Sequence, residues 1–396
     1  MIDESTIPKN WRVASFFDLL EYTQPTNYIV KTTDYGDNYK TPVLTAGKSF
    51  IIGYTNEKEG IFNSLPVIIF DDFTTATQFV NFRFKVKSSA MKILNPKNEF
   101  VNIKFVFYYM QTVHIKSETH KRYWISEYSK LPIPLPPISE QQQIVAKIEE
   151  LFSELEKGKQ QLETVKLQLK TYRQAVLKWA FEGRFTNSEA KNGQLPKGWK
   201  WMKVSEICNV VRGGSPRPAG DPRYYGGSIP FLKVADITKD NKVFINSYSY
   251  TIKEAGLHKT RKITPNTLLL SNSGATLGVP KICLLDATMN DGIAAFLDLD
   301  KRSILFLYYF WLSKTRELRN INMGAAQPNL NTDIIKDYTI PYCSFETQKT
   351  VVNEIETRLS VCDKMEETIA NCLQQSESLR QSILKQAFEG KLVKII

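Results

Sequence analysis

Arginines spaced closely among glycines are the residues here whose types and positions most suggest chemistry. The segment "VVRGGSPRPAGDPRYYGG" (210–227) carries Arg212, Arg217 and Arg223 around tight turns. Arginine presents a planar fork that can read guanine in the major groove, and glycine lets a backbone approach a phosphate. Lys233 and Lys259 follow nearby, and Lys48, His120, Lys121 and Arg122 hold loop positions in the first third of the chain. Catalytic strings are weaker. "TAGKS" (45–49) ends like a phosphate loop, but the glycine required five positions before Gly47 is Pro42. Asp221 with Asp240-Asn241-Lys242 outlines a metal-dependent nuclease site, yet nothing distinctive surrounds it. His114, His120 and His258 show no ligand spacing, and no nucleophile–base–acid set stands out. The expectation is a chain with no catalytic centre and no metal of its own.

"DPRYY" (221–225) has the outline of the Asp-Pro-Pro-Tyr loop of amino-methyltransferases. Arg223 displaces the second proline, and no glycine-rich cofactor loop follows a strand upstream, so that activity is not expected either. Composition bounds the class of protein. The 396 residues exceed one small domain, and no apolar run approaches the ~20 residues of a membrane span. "MIDESTIPKNW" has neither a basic start nor an apolar stretch, so no signal peptide is expected. Five scattered cysteines without Cys-x-x-Cys argue against zinc or a disulfide framework and favour a reducing cytoplasm. A net charge of +11 points to a polyanionic partner.

The elements that must position these residues show in a repeat. "RQAVLKWAFEG" (173–183) returns as "RQSILKQAFEG" (380–390), 207 positions later. The match extends without a gap from "IPLPPISEQQQIV" (133–145) over "IPYCSFETQKTVV" (340–352), which predicts one continuous element written twice. In the first copy Ile144, Ile148, Leu151, Leu155, Leu162, Leu169 and Tyr172 fall on a four-three alternation, with Phe181 in support: a coiled-coil seam. Pro136 and Pro137 fix the helix start, Ser139 would cap it, and Gly183 would end it. The second copy is weaker. Its seam runs through Ile355, Met365, Ile369, Leu379 and Ile383, with Phe388 in support and polar residues between. A fainter repeat, "IPKNWR" (7–12) over "LPKGWK" (195–200), opens each half at an offset of 188, so the second globular part is 19 residues longer.

The predicted organisation is a globular part over 1–138, a long helix over 139–185, a second globular part over 186–345 and a second long helix over 346–396. The fold class is α+β, an α/β mixture. "LPVIIFDD" (65–72) and "NTLLLSNSG" (266–274) read as buried strands, and 102–112 and 302–319 as core helices whose aromatic pairs, Tyr108-Tyr109 and Tyr308-Tyr309, match. The charge is unevenly placed: residues 184–345 carry a net +9, against +3 for residues 1–138. Basic heads beside near-neutral rods suit contact with a phosphate backbone.

This arrangement resembles the specificity subunit of type I restriction–modification systems. "LPKGWKWMKVSEI", "RGGSPR", "IPFLKVADI", "GAAQPNLNTDIIKDYTIPY" and the helix ending in "AFEG" carry the resemblance, which spans essentially the whole chain and is stronger in the second half. The resemblance implies two target-recognition domains and two helices lying antiparallel as a spacer, in a pseudo-twofold chain. Its target would be double-stranded DNA, read as two short half-sites around a fixed gap. Two methyltransferase (M) subunits carrying S-adenosylmethionine would methylate adenine. Restriction (R) subunits using ATP and Mg2+ would join them, and this chain would bind no cofactor. A specificity subunit serving a solitary methyltransferase, and a coiled-coil scaffold with basic heads for acidic proteins, stay open as alternatives.

Overall fold

The computed structural model describes residues 7–45, 49–115, 122–187, 194–274, 276–321 and 330–393. Lys48, His120 and Lys121 lie outside the described residues, as do most of "TAGKS", the "GAAQPN" stretch and much of the segment joining the two halves.

Two helices of 44 residues each dominate the chain, Ile138–Phe181 and Phe345–Phe388. Their starts differ from the expected Ser139 cap. The first helix begins one residue earlier, and the Pro137 carbonyl takes the Glu140 and Gln141 N–H groups at 2.9 and 3.0 Å. A proline leaves a carbonyl but no donor, so Pro137 suits this boundary. The second helix has a side-chain cap, the Ser344 hydroxyl accepting the Thr347 N–H at 3.3 Å. Behind each start a buried glutamine ties the helix to the preceding strand: Gln141 to the Pro136 carbonyl and Gln348 to the Cys343 carbonyl, both at 2.9 Å.

Both helices end alike. Gly183 and Gly390 adopt φ of 73° and 68°. Arg184 N–H returns to the Trp179 carbonyl and Lys391 N–H to the Gln386 carbonyl, the six-to-one bond of a Schellman turn. A Cβ on Gly183 would stand 2.3 Å from Pro196 Cγ, and one on Gly390 would stand 2.3 Å from Pro8 Cγ. The duplicated "AFEG" therefore closes against the duplicated "PK(G/N)W".

The chain divides into two compact units that cut across both helices. The first comprises residues 1–163 and 370–396, the second residues 164–369. Each contains a globular part, the start of the helix that follows it and the end of the other helix.

In the first unit one sheet orders Leu20–Thr23, Met91–Pro96, Val67–Asp71 and Thr77–Val80, all antiparallel. A smaller one orders Ile51–Thr55, Thr41–Leu44 and Lys85–Val86. The helix Ile103–Met110 packs on the larger sheet, and Phe105, Ile144, Ile148, Leu384 and Phe388 share one core. The Phe388 ring centroid lies 5.2 Å from Phe105 and 5.0 Å from Tyr109. The Arg380 guanidinium covers the Phe152 ring at 3.8 Å.

The second unit repeats this plan with additions. Its larger sheet orders Asn209–Arg212, Ile293–Leu297, Thr267–Ser271, Pro280–Cys283 and Phe244–Ile245. Its smaller sheet orders Tyr250–Ile252, Tyr225–Leu232, Ala287–Met289 and Arg261–Ile263. Much of the extra length lies between Leu232 and Thr267, where 34 residues replace the 22 between Leu44 and Val67. Phe181 sits 5.2 Å from Phe306 and 5.3 Å from Phe310, on the helix Ile304–Ile321. Leu177 and Phe181 share a core with Val351 and Ile355, while Arg173 meets Asp363 and Glu366 further along. The two helix segments thus run antiparallel within this unit.

These contacts correct the matching of aromatic pairs. Tyr108 donates to Glu149 at 3.4 Å, and Tyr309 donates to the repeated acid Glu356 at 3.4 Å. Tyr108-Tyr109 therefore corresponds to Tyr309-Phe310, one residue later than Tyr308-Tyr309. The seam also needs correction. Ile144, Ile148, Leu169, Phe181, Ile355, Ile369 and Phe388 are buried, and Leu151, Leu155, Leu162, Tyr172 and Ile383 are half-buried. Met365 and Leu379 are 43% and 53% exposed and lie off the buried face. A straight helix drifts about 20° per heptad against a strict four-three pattern. By Leu379 that drift has brought Arg380, Ile383 and Leu384 onto the inner face instead.

Candidate nucleic-acid interface

In the second unit three turns meet at one end of the larger sheet. Strand Asn209–Arg212 runs into the arginine-rich loop, and strand Ile293–Leu297 emerges from the turn Asn290–Gly292 beside it. Strand Thr267–Ser271 ends at Asn272, whose N–H bonds the Gly292 carbonyl at 2.9 Å.

The two glycines of "RGGSPR" serve this junction. Gly213 N–H bonds the Ile293 carbonyl at 2.9 Å and Gly214 N–H bonds the Met289 carbonyl at 3.1 Å. A Cβ on Gly213 would fall 2.1 Å from the Asn290 oxygen, and one on Gly214 would fall 2.5 Å from the Lys259 oxygen. Close approach to the chain's own backbone, rather than to a phosphate, accounts for both glycines.

The expected cations fall into three places. Arg212 Nε donates to the Asp291 carbonyl at 2.6 Å, and Arg217 Nη2 approaches the Asp291 carboxylate at 3.4 Å. Ser215 donates to the other oxygen of that carboxylate at 2.7 Å. Burial pushes the Asp291 carboxyl up, but the Ser215 hydroxyl, a backbone N–H and the charges of Arg217 and Arg212 outweigh it and hold the group below its ordinary range. Arg223 and Lys259 flank Tyr224, at 5.4 and 5.0 Å from its ring. Arg223 also grips Asp221 in a fork, Nε at 3.0 Å and Nη2 at 2.6 Å from Oδ2, and that guanidinium holds the Asp221 carboxyl below its usual value. Lys233 stands apart, its ammonium 3.4 Å from the Tyr250 ring centroid. Of the outlined nuclease pair, Asp221 is held by Arg223 and Asp240 receives the buried Lys281 ammonium at 3.0 Å.

The equivalent sheet end of the first unit has different chemistry. Strand pairing places Gln24 where the second unit has Arg212, Lys92 where it has Ala294, and Asp72 where it has Asn272. Lys92 is buried, 3.6 Å from Asp72 and 3.2 Å from Gln24 Oε1. Asp72 Oδ1 accepts the Trp124 N–H at 2.8 Å. Arg122 is exposed just before the short helix Tyr123–Ser126, and Phe73 is partly exposed beside Asp72. In the second unit Asn272 is fully buried, and among the described residues neither of its side-chain polar atoms has a hydrogen-bond partner.

Asp291, Asn272 and Asn290 were not legible as site residues. "MNDGI" and "LLSNSG" signal turns, but only strand pairing brings them to the arginine loop. Among the described residues no cluster of three or more His, Cys, Asp or Glu could hold a metal, and no helix is long and apolar enough to cross a membrane.

Known proteins share this arrangement. The family model described as "type I restriction modification DNA specificity domain" matches residues 8–164 and again 196–375. The chain belongs to that family. It is 30% identical over 382 residues to the EcoR124I/EcoR124II specificity subunit of Escherichia coli, covering 92% of this chain and 89% of that one. It is 29% identical over 282 residues to the EcoBI specificity subunit of the same species, covering 66% and 58%. The HsdS subunit of Thermoanaerobacter tengcongensis has the same fold, with a TM-score of 0.62 at 19% identity over 97% of this chain and 98% of that one. A chain from a structure of type I restriction–modification assembly matches with a TM-score of 0.72, also at 19% identity, over 97% and 99%. A type I specificity subunit with two copies of a DNA target-recognition domain is therefore the reading that sequence and fold share, and the acidic-protein scaffold is set aside.

Proposed function

We propose that each unit reads one half of a split target in double-stranded DNA and that this chain chooses the sequence while partner subunits make and break bonds. The functional division would follow 1–138 and 186–345 for recognition and 139–185 and 346–396 for the helices. The observation that carries this reading is the contrast at the two sheet ends. One scaffold is built twice, down to a paired 3.4 Å tyrosine–glutamate bond, yet Gln24, Asp72 and Lys92 in one unit hold the positions of Arg212, Asn272 and Ala294 in the other. Framework kept and ends changed is what two different half-sites require. Arg212, Arg217, Arg223, Lys233 and Lys259 are the proposed contacts of the second unit, and Lys48, His120, Lys121 and Arg122 those of the first.

The proposed partners are two methyltransferase subunits, which would bring S-adenosylmethionine to adenine, and restriction subunits, which would bring ATP and Mg2+, in the cytoplasm. Sequencing modified adenines in cells with and without this gene tests the reading. A motif of two short blocks around a fixed gap should vanish on deletion, and Arg217→Ala should relax one block only. Methylation unchanged by deletion, or a single contiguous motif, would refute it.

A further inference from the structure

Asp291 is a carboxylate on the turn that meets the arginine-rich loop of the second unit. Within the DNA-reading proposal its charge alone is a handicap, because it would repel the phosphates that the surrounding arginines attract. Its geometry supplies a different role. Oδ1 accepts from Ser215 at 2.7 Å, Oδ2 faces Arg217 Nη2 at 3.4 Å, and the carbonyl accepts from Arg212 Nε at 2.6 Å. Gly213 and Gly214 bond the strands on either side of the same turn, and neither has room for a Cβ. The backbone of the loop is thus bonded to both sides of the turn, and Asp291 adds the side-chain contacts to Ser215 and Arg217.

Arg217 is held by one edge only. Its side chain is 70% exposed, and among the described residues Nε and Nη1 donate to nothing. A guanidinium has five donors, so the remaining edge keeps the two-pronged geometry that suits guanine. The equivalent turn of the first unit carries Ser89 in place of Asp291 and so lacks this clamp.

We infer that Asp291 is a positioning residue that presents Arg217 to the second half-site in one orientation, sharpening the choice between sequences at a cost in overall grip on DNA. This rests on the DNA-reading proposal. The test uses the subunit assembled with its methyltransferase partner. Its Kd is measured for a duplex carrying the complete motif and for duplexes with either half scrambled.

Asp291→Asn keeps an acceptor for Ser215 and removes the charge. It should weaken binding to the complete motif about tenfold, the scale of one impaired two-pronged base contact. Binding to the duplex scrambled in the second unit's half should tighten, and discrimination in the other half should be unchanged. Equal tightening on all duplexes would mean Asp291 is only a repulsive charge and would overturn the inference. No change on any duplex would do the same, as would equal weakening on all. If Asp291→Asn lowers the melting temperature, the Arg217→Ala background decides. There Asp291→Asn should cost no further discrimination, and an additional loss would show that it does not act through Arg217. A wild-type assembly that binds all the duplexes alike would sink the DNA-reading proposal itself.

Discussion

Phe388→Ala provides a sharp test of how the chain builds its cores. Phe388 follows the second globular part in sequence but belongs to the first unit. It is 7% exposed and packs against Phe105 and Tyr109 at 5.2 and 5.0 Å. Truncating a buried phenylalanine costs about 3–5 kcal/mol through lost burial and the cavity left behind. In a unit of this size, residues 1–163 with 370–396, each kcal/mol lowers a melting midpoint by about 2–4 °C. The unfolding transition of the first unit should therefore fall by about 6–20 °C. Scanning calorimetry gives the shift, and hydrogen–deuterium exchange read by mass spectrometry gives its place. Amides of Ile103–Met110 should lose protection while those of Ile304–Ile321 keep theirs. Phe181→Ala should do the reverse, although Phe181 follows the first globular part in sequence. Loss of protection at Ile304–Ile321 in Phe388→Ala would refute the exchange of helix ends, and so would an unshifted transition.

Gly183→Ala and Gly390→Ala should each destabilise their own unit by about 2 kcal/mol or more. The left-handed turn alone costs an L-residue about 1–2 kcal/mol, and the new methyl meets a proline ring that cannot rotate away; urea denaturation of each variant measures it. Acid should act on the first unit through Glu57. Burial pushes this carboxyl up, but the Lys85 ammonium at 2.9 Å and the N–H groups of Lys31 and Thr32 outweigh it and hold it below the usual range. Its contribution is then present above about pH 4.3 and is lost as pH falls through the lower folded value. Urea midpoints between pH 3 and 6 should drop less steeply in Glu57→Gln than in the wild type.

The long helices were legible because a gapless repeat and a heptad stripe are local properties. Their inner faces were only partly so. Strict alternation chose Met365 and Leu379, whereas the helix turns Arg380 inward, where its guanidinium covers Phe152. The globular parts gave up two buried strands, Val67–Asp71 and Thr267–Ser271, but not their register, since pairing is a long-range property. For the same reason the sequence offered Tyr308-Tyr309 as the match to Tyr108-Tyr109, until the bonds to Glu149 and Glu356 set the offset. At the candidate interface the cations were visible as composition. Their partners were not: Asp291 lies 74 residues from Arg217 in sequence. The glycines of "RGGSPR" looked like room for a phosphate and prove to be room for the neighbouring backbone.

The exchange of helix ends also bears on descent. One copy of the repeat, a globular part with the helix that follows it, holds Phe105 and Tyr109 but no phenylalanine able to reach them from its own helix end, because that end completes the other core. A half-length ancestor could have closed its core only by lending its helix to a second identical chain and borrowing one in return. Fusion of two such copies would turn an intermolecular trade into an intramolecular one. Once both copies lay in one reading frame, each sheet end could mutate without altering the other, a freedom that a symmetric pair of identical chains never has.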